Sequence, residues 1–161
     1  MTADAPLTRE SFRRLLPINT RSPMSQLPSR VWTDADWDRI RNGYRARDMD
    51  EKWNVFAEGR VVFLHRSWTG HGIFEATFVP AEDGGWRIGE SVAEGERERY
   101  PARADEYDCV MLELVISNIV LGEPSIELRQ RLVEVVRQAS GAADAPSGAV
   151  QHSLLGLRSD S

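Results

Sequence analysis

Between residues 53 and 92 apolar and polar side chains alternate with a period of two, and glycine-rich breaks cut the stretch into four segments of strand length. The segments are 53–57, closed by the turn dipeptide Glu58-Gly59, then 60–68, 72–79 and 86–92. Their connections, 69–71 and 80–85, are of hairpin length and carry Gly, Pro and Asp, so the pattern predicts an antiparallel meander. In the third segment Phe74, Ala76 and Phe78 alternate with Ile73, Glu75 and Thr77, as expected of a sheet with one covered face, and the first set is assigned to the core. The second segment is apolar on both sides at its start, Val61 and Phe63 against Val62 and Leu64, which predicts an interior strand. Its far end turns polar at His65, Arg66 and Ser67, and this tip is expected to stay open to solvent.

Helical periods flank the meander. Thr8 can cap a short N-terminal turn whose apolar patch is Phe12, Leu15 and Leu16 and whose stop is Pro17; Pro23 and Pro28 then predict irregular chain. Thr33, with Asp36 three residues on, has the form of a capping box, and Trp37, Ile40, Arg41 and Tyr44 share a face of the helix it opens, which should end between residues 43 and 47. Residues 95–99 alternate in charge and read as a solvated connection. Residues 105–121 form an apolar helix with Glu106, Glu113 and Ser117 as a narrow polar stripe. Beyond Gly122 and Pro124, Ser125 can cap a last helix with Leu128, Leu132, Val135 and Val136 inward and Arg129, Glu134 and Arg137 outward. The last twenty-one residues, 141–161, are rich in Ala, Ser, Gly and Asp and read as a mobile tail, with Leu154, Leu155 and Leu157 as its apolar exceptions. The expected fold is therefore α+β, a four-stranded antiparallel meander packed on one face by helices in the order α-α-β-β-β-β-α-α. An N-terminal extension with a short helix occupies 1–30, one domain 31–140 and the tail 141–161.

Composition narrows the function classes. A chain of 161 residues supports one hydrophobic core. No apolar run approaches the roughly 20 residues that span a bilayer, and the N-terminus carries an early acid and no apolar stretch, so a cytoplasmic location and no membrane partner are expected. The formal net charge of −5 disfavours binding to nucleic acid, which needs a basic surface to displace counterions. Cys109 is the single cysteine; it has no internal disulfide partner, and its apolar helical setting reads as a buried structural thiol. Lys52 is the only lysine among 20 cationic residues, a ratio that reads as the coding bias of a GC-rich bacterial genome rather than as a functional signal.

The densest cluster of reactive side chains is His65-Arg66-Ser67-Trp68-Thr69-Gly70, at a strand end and the start of a tight turn. On a strand Arg66 and Trp68 share one face, where a guanidinium and an indole can flank an anionic or aromatic ligand. His65 and Ser67 share the other, about 7 Å apart at Cα. The structural alternative makes Trp68 a hairpin anchor, pairs Arg66 with Asp50 or Glu51, and leaves His65 a satisfied surface residue. Metal ligation has little support, since His65, His71 and His152 form no close pair with a carboxylate. No phosphate-loop, dinucleotide or nucleophile-elbow motif is present and no cofactor is implied. Asp48, Asp50 and Glu51, and Glu82 with Asp83, read as loop solvation.

The segment Met49-Asp50-Glu51-Lys52-Trp53, together with Phe63-Leu64-His65-Arg66-Ser67-Trp68-Thr69-Gly70 and the following Ile73-Phe74-Glu75-Ala76, resembles a small bacterial domain in which a Lys-Trp pair precedes a His-Arg-Ser-Trp-Thr-Gly strand end. That domain is associated with ADP-ribose-handling proteins such as macrodomains and ADP-ribosylglycohydrolases. The likeness covers about 30 residues and implies no particular reaction. It makes Lys52, Arg66 and Trp68 candidates for contacting a phosphorylated nucleotide or an ADP-ribosylated partner, within a ligand-binding set of Lys52, Trp53, His65, Arg66, Ser67, Trp68 and Thr69. The expected function is a non-catalytic binding or accessory domain for a nucleotide-like ligand or a modified protein. A small enzyme with His65 as acid/base on a phosphorylated substrate, and an acidic immunity or antitoxin-type inhibitor of a partner protein, are the alternatives. The oligomeric state is left open by the sequence.

Overall fold

The alternating segments become strands in a computed structural model that describes residues 6–100 and 105–140. In chain order the elements are β1 (Arg21–Pro23), α1 (Asp34–Asn42), β2 (Trp53–Glu58), β3 (Val61–Arg66), β4 (Gly72–Pro80), β5 (Trp86–Glu94), α2 (Asp105–Leu114), a π-helical continuation (Val115–Val120) and α3 (Ile126–Ser140). All strand pairs are antiparallel and the sheet order is β1-β5-β4-β3-β2. The architecture is α+β as expected, and the meander of β2 to β5 lies within two residues of the expected boundaries.

Two expectations about the elements are corrected first. The sheet has five strands, because Arg21–Pro23 pairs with Val92–Glu94 at the edge, where a proline can stand without breaking an interior ladder. The first helix is reduced to a single 3-10 turn, Arg9–Ser11, in which the Ser11 hydroxyl accepts the Thr8 N–H at 2.8 Å. The proposed tail, 141–161, lies outside the described residues, and with it Leu154, Leu155, Leu157 and His152.

Helix α1 starts as its sequence requires. Thr33 Oγ1 accepts the Asp36 N–H at 3.0 Å, the Asp36 carboxylate accepts the Thr33 N–H, and Trp37 and Ile40 turn inward. It ends at Gly43 with φ 81°, where a Cβ would stand 2.4 Å from the Val55 carbonyl, so only glycine lets the chain leave the helix along the edge of β2.

One face of the sheet is dry. Val55, Val62, Leu64, Phe74, Ala76 and Phe78 are fully buried and form one apolar cluster with Trp37 and Ile40 of α1, Met111, Leu112 and Leu114 of α2, and Leu132 of α3. Phe78, Trp37 and Trp86 stack in series at 4.7 and 5.0 Å. Ser117, expected on a polar stripe, is instead fully buried in the π-helical segment, where its hydroxyl accepts from Arg30 at 2.9 Å while the same guanidinium grips Glu123 through both nitrogens. Ser125 adopts φ 49°, and its hydroxyl lies nearest the Glu123 carbonyl, so α3 begins without the expected side-chain cap.

The opposite face is covered too, not by helices but by a strap, residues 7–20. Phe56 and Phe63 stack at 4.9 Å; Phe12 lies 5.8 Å from Phe56, and the Arg9 guanidinium sits 5.1 Å from both ring centroids while pairing with Glu58 at 3.0 Å. Further along, the buried Glu94 carboxylate accepts the N–H groups of Asn19 and Thr20.

Candidate functional site

Three chain segments meet at the end of β3: the strap, the loop between α1 and β2, and the turn between β3 and β4. The strap joins the turn through backbone pairs, Leu16 N–H to the Gly70 carbonyl at 2.8 Å and Gly72 N–H to the Leu16 carbonyl at 2.7 Å. Gly70 has φ 79°, and a Cβ there would lie 2.6 Å from the Arg14 carbonyl, so the strap can approach only because this residue has no side chain.

The loop is fixed by a carboxylate. Glu51, expected to be solvated, is 1% exposed and accepts the Arg47 N–H at 2.7 Å. The Ser67 hydroxyl donates to the Glu51 carbonyl at 2.7 Å, and the Ser67 N–H donates to the Lys52 carbonyl at 2.9 Å. These bonds tie the loop to the turn and end the strand alternation at Arg66.

The expected site residues therefore separate. Arg66 remains on the helix-covered face, its guanidinium 4.3 Å from the ring centroid of Trp53, and Trp53 is fully buried with no partner for its indole N–H among the described residues. Trp68, past the strand end, swings to the other side; it is 59% exposed, donates its indole N–H to the Met49 carbonyl at 3.0 Å, and carries the Lys52 ammonium 4.7 Å from its ring centroid. Arg66 and Trp68 thus do not flank a common ligand position. Thr69 is exposed and its hydroxyl accepts the His71 N–H.

His65 is not part of an open tip either. A register shift between Leu64 and His65 turns the ring under the strap, leaving it 2% exposed with Nδ1 2.9 Å from the Gly70 carbonyl. A carbonyl only accepts, so Nδ1 carries the proton, and burial holds the pKa below the usual imidazole value. A proton shuttle needs access to its substrate, which this ring does not have. Cys109, expected to be buried, is only half-buried, and that partial burial pushes the thiol pKa up, away from the reactive thiolate.

What the three segments do enclose is an open cavity of about 740 Å³. Its walls include Arg13 and Arg14 from the strap, Arg45 and Arg47 from the loop, and Ser67 and Trp68 from the turn. Arg45 donates to the Ser11 carbonyl and lies 5.6 Å from the Phe12 ring centroid, and Arg47 lies 5.6 Å from that of Tyr44. Arg13 and Arg14 have no carboxylate partner among the described residues. Asp48 is the one carboxylate in the lining among the described residues. Ser67 and Trp68 were legible as site candidates, with Lys52 beside them; the four arginines were not, because they come from two stretches some thirty residues apart, and no local spacing announces their convergence.

Among the described residues no group of three or more His, Cys, Asp and Glu side chains is placed to hold a metal ion, and no helix is long and apolar enough to cross a membrane. Neither family models, nor curated proteins, nor solved structures give a match to this chain.

Proposed function

We propose that this chain is a non-catalytic recognition domain that binds a phosphorylated, nucleotide-like ligand, or a protein partner carrying such a group, in the cavity between strap, loop and turn. The observation that carries this reading is the convergence of four arginines and an exposed indole on one cavity of a chain whose formal net charge is −5. Guanidinium groups are planar forks matched to phosphate oxygens, and an indole face accepts a stacked base. The resemblance of the Lys-Trp and His-Arg-Ser-Trp-Thr-Gly segments to a domain of ADP-ribose-handling proteins makes ADP-ribose the first ligand to try. Catalysis is less favoured: the charged groups that line the cavity among the described residues are the arginines and Asp48, and His65 is buried behind the strap.

The test is a thermal-shift titration with ADP-ribose, NAD and ADP. At least one of them is expected to raise the melting temperature of the wild type. Trp68→Ala and Arg14→Gln are expected to abolish that rise while leaving unliganded stability within about 0.5 kcal/mol, as for surface substitutions generally. If none of the three ligands stabilises the wild type, the reading fails.

A further inference from the structure

Four large apolar side chains are exposed among the described residues, Val31, Met49, Trp68 and Ile126, and two of them, Met49 and Trp68, line the basic cavity. They are neighbours, because the indole N–H donates to the Met49 carbonyl at 3.0 Å. That bond uses the backbone of Met49 and leaves its thioether side chain, 68% exposed, in solvent. An apolar side chain in water is stabilised when another apolar group covers it.

The two forms of ligand considered above differ in what they can lay on Met49. A free nucleotide sends its phosphates to the arginines and its base to the indole, one face of which already carries the Lys52 ammonium 4.7 Å from the ring centroid. It has no aliphatic side chain to offer. A polypeptide does. Methionine, aromatic residues and arginine are the types enriched where proteins meet, methionine because its flexible chain adapts to the surface laid on it. Met49, Trp68 and the arginines put all three types on one cavity. Arg13 and Arg14, exposed on the strap, have no carboxylate partner among the described residues, so the same cavity is complementary in charge to an anionic group on the partner.

Resting on the reading above, we infer that the anionic group enters the cavity on a protein, and that the partner's chain lays an apolar side chain, close in sequence to the modified residue, against Met49 beside Trp68. The arginines then recognise the modification, and the apolar rim recognises the polypeptide that bears it.

Calorimetric titration of the full chain with three probes tests this: free ADP-ribose, a peptide ADP-ribosylated on one serine flanked on each side by leucine, and the same modified peptide with glycine in place of both leucines. The leucine peptide should bind at least about tenfold more tightly than ADP-ribose, the gain expected from partly burying one aliphatic side chain. The glycine peptide should fall back to the affinity of the free ligand. Met49→Ser should remove the leucine advantage and leave the affinity for ADP-ribose within about twofold, since Trp68 bonds only the backbone at that position. Equal affinities for the two peptides, a leucine advantage that survives Met49→Ser, or a leucine peptide that does not bind would each overturn this inference and leave the nucleotide reading standing. Failure of ADP-ribose, NAD and ADP as well would remove both.

Discussion

On one side of the sheet Val62, Leu64, Phe74, Ala76 and Phe78 share a closed apolar layer with three helices, whereas on the other Phe56 and Phe63 are covered by a strap whose contacts include the Phe12 ring, an arginine lying over two rings, a carboxylate and a few backbone bonds. The first cover is bulk apolar burial, which is strong and indifferent to direction. The second is held at discrete points, each of which needs a particular residue, and it is along this second cover that the basic cavity opens. The helix side holds the larger apolar cluster, and the strap side holds the basic cavity.

The largest effect should come from the helix side. Phe74→Ala removes a fully buried ring and should cost about 3–5 kcal/mol in urea unfolding. A loss under about 1 kcal/mol would mean that this layer repacks freely and is not the main core. Next comes the point where strap meets turn. Gly70→Ala puts a Cβ against the Arg14 carbonyl at a positive φ and should cost more than about 1 kcal/mol; it should also weaken ligand binding, because Arg14 must move. Unchanged stability there would show that the strap is not pinned at Gly70.

The smallest effect is a loss of stability on acidification that arises on the strap side. Burial lowers the folded-state pKa of His65, so the neutral ring is favoured by folding. Its contribution is complete above the ordinary imidazole value and is lost as pH falls through the lower folded value. Stability should therefore decline on acidification below about pH 6.5, and His65→Asn should flatten part of that decline, with further parts coming from His71, whose pKa is also lowered by burial, and, at lower pH, from Glu58, whose pKa is lowered by its bond to Arg9. On the helix side Tyr100, Glu113 and Cys109 are all shifted upward, first by burial. An acid decline that is identical in His65→Asn would remove His65 from the account.

The difference between the two covers also explains what the sequence disclosed. Period-two alternation and glycine turns identify β2 to β5 because each strand has a buried face and a punctuated end, and the capping box at Thr33 and Asp36 is a local signal for a local structure. β1 has no such signal: three residues ending in proline become a strand only because β5 offers them an edge. The π-helical turn at Val115–Val120, where the Leu121 N–H reaches back five residues to the Ile116 carbonyl, is equally silent in an apolar run. At the candidate site the cluster from His65 to Thr69 was visible as chemistry. Its partition was not, since the burial of His65 under the strap and the separation of Arg66 from Trp68 follow from where distant segments land.

The margins of the sheet have a consequence of their own. At one margin the outermost strand is three residues long and contains Pro23, which has no N–H to offer; at the other, Tyr44 exchanges both backbone bonds with Val55. Neither border leaves a long bare rail of donors and acceptors, so recruitment of further strands from other molecules, the first step toward fibrils, has little template here.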